Sequence, residues 1–107
     1  MSTSSSVDVE FSGDLTIRSI AEICNHLREA LQAHDDVKVS VAEDAEADLT
    51  FVQLMESARR SAESDGKRFA LAQAAAGGLL ETLRRGGFLS ERDEARRDFW
   101  LSTSGTL

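Results

Sequence analysis

The chain contains no proline and no tyrosine, one cysteine and one tryptophan, and aromatic residues make up only 6% of it. Each shortage excludes something. A lone cysteine, Cys24, forms no internal disulfide, so a stapled secreted scaffold is ruled out. No apolar run is long enough to cross a bilayer. The opening Met-Ser-Thr-Ser-Ser-Ser lacks the basic start and apolar run of a signal peptide, which predicts a cytoplasmic protein. Basic residues are also scarce: 12 Lys and Arg face 19 Asp and Glu, a net charge of -7. That balance repels phosphate backbones and anionic lipid, so neither nucleic acid nor direct membrane insertion is expected. Neither Gly-x-Gly-x-x-Gly nor Gly-x-x-x-x-Gly-Lys occurs, which removes the common phosphate-binding loops.

What is present is a periodic pattern in 107 residues, 41% of them hydrophobic, enough for one core. Residues 1–6 read as a loose serine-rich tail, 7–101 as one domain and 102–107 as a second tail. Val7, Val9 and Phe11 alternate with polar residues as in a half-buried strand. Ser12-Gly13-Asp14 supplies turn chemistry, which predicts a hairpin returning through Leu15-Thr16-Ile17. Ser19 and Glu22 have capping-box spacing. Behind them Ile20, Ile23, Cys24, Leu27, Ala30 and Leu31 lay an apolar stripe along a helix to about His34. Val37, Val39 and Val41 form the next strand. An acidic link, Glu43 to Asp48, leads into a second helix striped by Phe51, Leu54, Met55, Ala58 and Ala62, with Thr50 and Gln53 at capping-box spacing. Ser64-Asp65-Gly66 closes that helix. Lys67–Leu71 reads as a strand, Leu79, Leu80 and Leu83 as a short helix ending at Gly86-Gly87, and Ser90 to Leu101 as a charged end-piece sealed by Phe99 and Trp100. Helices between successive strands predict an α/β fold with a mixed sheet of about four strands, largely parallel, the hairpin giving an antiparallel pair. Alternation along the strands places the helices mainly on one face.

Few constellations carry chemistry. Cys24 and His26 stand two apart on one helix and face different sides, and no triad or ligand set completes them or His34. The acidic link lacks the glycine and distal glutamate of a calcium loop. Gly77-Gly78 suits a turn better than an anion site. Arg59-Arg60 and Arg84-Arg85 have Glu56 and Glu81 one turn upstream, the pattern of solvated ion pairs. No catalytic residue, metal or cofactor is expected, and the chain reads as a non-enzyme. Thr50 alone carries two meanings. Its hydroxyl serves as a helix cap, and a phosphate there would add about two negative charges to a helix start.

Gly13-Asp-Leu-Thr-Ile17, Asp48-Leu-Thr-Phe-Val-Gln-Leu54, Gly66-Lys-Arg-Phe-Ala-Leu71 and Leu79-x-x-x-Leu83 to Gly87-Phe88, in that order and spacing, resemble the STAS domain family over residues 7 to 89. In that family the second-helix start is typically Asp-Ser-Ser/Thr-Gly-Leu, with the third residue phosphorylated in partner-switching systems. The resemblance therefore implies Asp48 as the orienting aspartate and Thr50 as the phosphoacceptor. Leu49 replaces the first serine, and Phe51 puts a ring where the family has glycine. This variant resembles small stand-alone bacterial members, some encoded with chemotaxis components and some serving lipid-transport machinery. The implied function is an anti-sigma-factor-antagonist-like interaction module in signalling. Asp48, Leu49, Thr50, Phe51 and Gln53 would form its contact site. The implied partner is an anti-sigma factor or serine kinase, a chemotaxis component, or a transporter ATPase, and self-association is compatible with it. The alternative is a structural subunit bracing the ATPase of a lipid-transport ABC complex.

Overall fold

Short valine-rich strands separated by amphipathic helices leave the chain few ways to pair except in parallel, and it does so throughout. A computed structural model describes residues 6–90 and 92–101. The elements are β1 (Ser6–Phe11), β2 (Asp14–Leu15), α1 (Ile20–Ala33), β3 (Asp36–Val41), β4 (Glu46–Ala47), α2 (Leu49–Ser64), β5 (Arg68–Leu71), α3 (Gly77–Gly86) and α4 (Glu94–Leu101). Three strands form a sheet in the order β1-β3-β5, with Val9 level with Val39 and Val39 level with Leu71. Ser6, expected in the tail, opens β1. The expected tails at 1–5 and 102–107 lie outside the described residues.

The expected hairpin is absent. β2 does not turn back on β1 but runs on to pair in parallel with β4, and among the described residues every strand pairing is parallel. Backbone bonds from Ala42 N to Phe11 O (2.9 Å), Glu46 N to Gly13 O (2.9 Å) and Asp48 N to Leu15 O (3.3 Å) carry the β1–β3 ladder into β2–β4. Gly13, at φ 77°, bends the chain without reversing it. The bend serves burial: Leu15, 2% exposed, enters the core, and so does Ala45 opposite. The α/β class and one-sided helix cover hold, with five short strands.

Val37 and Val39 of the central strand are fully buried beneath Leu27 of α1, Phe51, Val52 and Met55 of α2, and Leu79 and Leu83 of α3. On the opposite sheet face Asp8, Glu10, Lys38, Arg68 and Ala70 are exposed, which is why the strands alternate. Gly77 and Gly78 let α3 press against the acidic link. A Cβ on Gly77, at φ 58°, would stand 2.0 Å from the Glu43 carbonyl oxygen. Close approach of two backbones accounts for the glycine pair.

One expected solvated face is buried. Glu56 of α2 is 3% exposed, and its Oε2 accepts a 2.7 Å bond from the Trp100 indole N–H. Its Oε1 takes Arg59 Nη2 at 3.1 Å and Arg96 Nε at 3.3 Å. Phe99 stacks on Phe69 at 5.7 Å, and Arg59 lies over the Phe99 ring. α4 is thereby fastened to α2 and β5 through one carboxylate and two rings. Its start is set by Asp93, whose carboxylate accepts from Arg96 N, rather than by Ser90. Glu56→Ala would strand a buried indole N–H and two guanidinium groups, lowering stability by about 3 kcal/mol. Glu56→Gln keeps an acceptor for Trp100 and should cost roughly half as much, both read from urea unfolding midpoints.

Candidate functional site at the start of α2

β2 and β4 end side by side, and the chain leaving each is held by a single carboxylate. Asp48 is the N-cap of α2: its Oδ1 accepts from Thr50 N at 3.0 Å and Phe51 N at 3.2 Å. Its Oδ2 accepts from Ile17 N at 3.1 Å, in the turn after β2. One side chain thus satisfies two of the free donors of a helix start and pins a second loop beside it. Thr82 of α3 donates its hydroxyl to Ala47 O at 2.7 Å and steadies the residue before the cap.

This geometry corrects the capping assignment. Thr50 stands inside the first turn of α2, half-buried, and the cap leaves its hydroxyl unused. Both Asp and Thr are good caps, and they lie two residues apart, so spacing to Gln53 favoured the wrong one. Ser19 does stand at the start of α1, yet its side chain makes no cap bond. Phe51 is also displaced from its expected role. It is fully buried, edge-on to Phe11 with ring centroids 6.0 Å apart, so its ring is core and presents no contact surface. The glycine position of the family pattern is filled here by a packed side chain.

The exposed apolar groups lie on either side of the cap. Leu49 is 47% exposed and Ile17 is 68% exposed, the large hydrophobic residues most open to solvent among those described. The Asp48 bond to Ile17 N sets the two loops against each other. Gln53, exposed and one turn on from Leu49, continues the same helix face. Behind Leu49, Gly86 leaves space that a side chain would close: a Cβ there would meet the Phe88 ring at 2.7 Å and Leu49 Cδ2 at 3.1 Å. Phe88 is half-buried, and Arg96 of α4 covers its ring at 5.3 Å. Ile17, Gly86 and Phe88 escaped sequence reasoning. An isolated isoleucine in Thr-Ile-Arg-Ser carries no periodic signal, and glycine beside a helix end reads simply as a stop.

The other candidates stay apart from this surface. The His26 ring is edge-on to Phe11, and Cys24 Sγ takes a 3.6 Å contact from Arg28. Among the described residues no group of three or more His, Cys, Asp or Glu could hold a metal ion. No helix among them is long and apolar enough to cross a membrane.

A one-sided parallel sheet with a tightly capped helix start at its strand ends is the frame of an α/β interaction domain. The chain belongs to the STAS domain family: the family model described as "Mlab, STAS domain" matches residues 1–89. STAS domains are regulatory modules of the anti-sigma-factor-antagonist type that mediate contacts between proteins. No curated protein matches the chain. α4 lies beyond the matched residues.

Asp48→Ala should lower stability by about 1–2 kcal/mol, because it removes the cap and the tie to Ile17 together. Thr50→Val should stay within about 0.5 kcal/mol of the parent, because its hydroxyl does not cap. Parallel urea titrations of the two variants check both values.

Proposed function

We propose that the chain is a non-enzymatic regulatory module that receives a partner protein on the surface formed by Ile17, Leu49, Thr50 and Gln53. The observation that carries this reading is the pairing of two exposed aliphatic side chains across one buffered turn, where solitary exposure would need no explanation. Asp48 is the positioning residue. Thr50 is the switch: its hydroxyl is free of capping duty and lies between the apolar groups and the Asp48 carboxylate. A phosphate on Thr50 would set about two charges beside that carboxylate and beside the apolar contact, which disfavours a partner fitted to the neutral surface. An anti-sigma factor, serine kinase or chemotaxis component of a bacterial cell, met in the cytoplasm, is the class of partner this supports.

A second reading is a structural subunit bracing the ATPase of a lipid-transport complex, without phosphorylation. The aliphatic character of the contact favours it, since permanent interfaces are more apolar than transient ones, as does the Mlab description of the matched family.

Tagged full-length chain recovered from its own cells, with cross-linked partners and modified residues identified by mass spectrometry, tests both. Leu49→Glu should reduce partner recovery about tenfold or more, as expected for truncation of a central contact. Thr50→Glu should mimic that loss for a switch and leave recovery intact for a permanent brace. Unchanged recovery with both Leu49→Glu and Ile17→Glu would remove the surface from consideration.

A further inference from the structure

The sheet has two outer strands, and they are treated differently. β5 has α4 packed beside it, with Phe99 stacked on Phe69. β1, the other outer strand, has no strand on its free side among the described residues. Its pairing with β3 runs in unbroken register from Ser6 to Phe11, without a bulge, and the strand contains no proline or lysine. Those are the usual devices that keep an edge from accepting another strand.

α1 reaches past this edge. A groove of about 320 Å3 lies between helix and strand, with Val7, Val9, Ala30 and Ala33 along its floor. The place of one further strand beside β1 is therefore covered by helix but not filled. The charges around it have one sign: Asp8, Glu10 and Glu29 line the groove, and no lysine or arginine does. Asp8 and Glu10 are exposed on the outer sheet face, alternating with Val7 and Val9. β1 of a second copy would bring carboxylates against carboxylates, an unfavourable cross-strand pairing. The complementary occupant alternates in the same period with the opposite charge.

We propose that the free side of β1 is a strand-addition site for an extended segment of a partner protein in which apolar residues alternate with lysine or arginine. The outward backbone N–H and C=O groups of β1 supply the ladder, as in other strand-addition complexes. Apolar residues of the added segment cover Ala30 and Ala33, continuing the layer of Val7 and Val9. Its basic residues stand on the other face against Asp8 and Glu10. This surface is separate from the one at Leu49, so either can fail without the other.

The test titrates the isotope-labelled full chain with a short peptide of alternating valine and lysine and follows backbone amides by NMR. The expected result is saturable shifts confined to residues 6–11 and 26–34. A valine–glutamate peptide should bind about tenfold more weakly, and Asp8→Lys with Glu10→Lys should invert that preference. The same valine–lysine peptide methylated on alternate backbone nitrogens should give no saturable response, since it cannot extend the ladder. No saturable shift with the parent peptide, an equal response to the methylated one, or shifts centred on Leu49 would each overturn the proposal.

Discussion

The Asp48 carboxylate is the interaction on which the candidate surface depends. It stands where two parallel strands end, and its two oxygens divide the work: one caps α2, the other holds the turn that carries Ile17. Cap bonds are modest singly, about 1 kcal/mol, but here they fix relative position as well as stability. Without them Leu49 and Ile17 would be two unrelated exposed side chains on two loops. With them, local helix chemistry becomes a shaped patch. Phe51, directly behind the cap and fully buried, anchors the same turn from the core side.

Glu56 plays the corresponding part at the other end of the molecule, at higher stakes. A carboxylate 3% exposed is tolerable only because an indole N–H and guanidinium groups surround it. The arrangement links α4 to the candidate surface by a continuous set of contacts. Arg96 reaches Glu56 and covers Phe88, and Phe88 and Leu49 close over Gly86. The helix outside the family match therefore helps shape the part inside it.

The amphipathic helices were legible because their stripes are local: Ile23 and Leu27 of α1, and Phe51, Met55 and Ala62 of α2, all went where the period placed them. The bend at Gly13 was not, since Ser-Gly-Asp serves a reversal and a kink equally well, and only Leu15's need for burial under α2 decides between them. Asp48 and Thr50 competed for one cap, and propensity alone does not separate them. Glu56 looked like an ordinary surface partner of Arg59 and Arg60. Its burial comes from Trp100, forty-four residues away, and no local pattern encodes that. The stretch from Asp48 to Gln53 was found as a place before its residues could be assigned roles.

The all-parallel pairing has a consequence for how the chain is made. Ser6 finds its partner only at Asp36, and Asp36 its second only at Arg68. Lacking a hairpin, a chain leaving the ribosome has no strand it can pair with a near neighbour, and β1 must wait through the synthesis of α1. The acidic residues that keep β1 apart from its own kind then act first on the nascent chain, shielding an unpaired edge before there is a sheet for it to join.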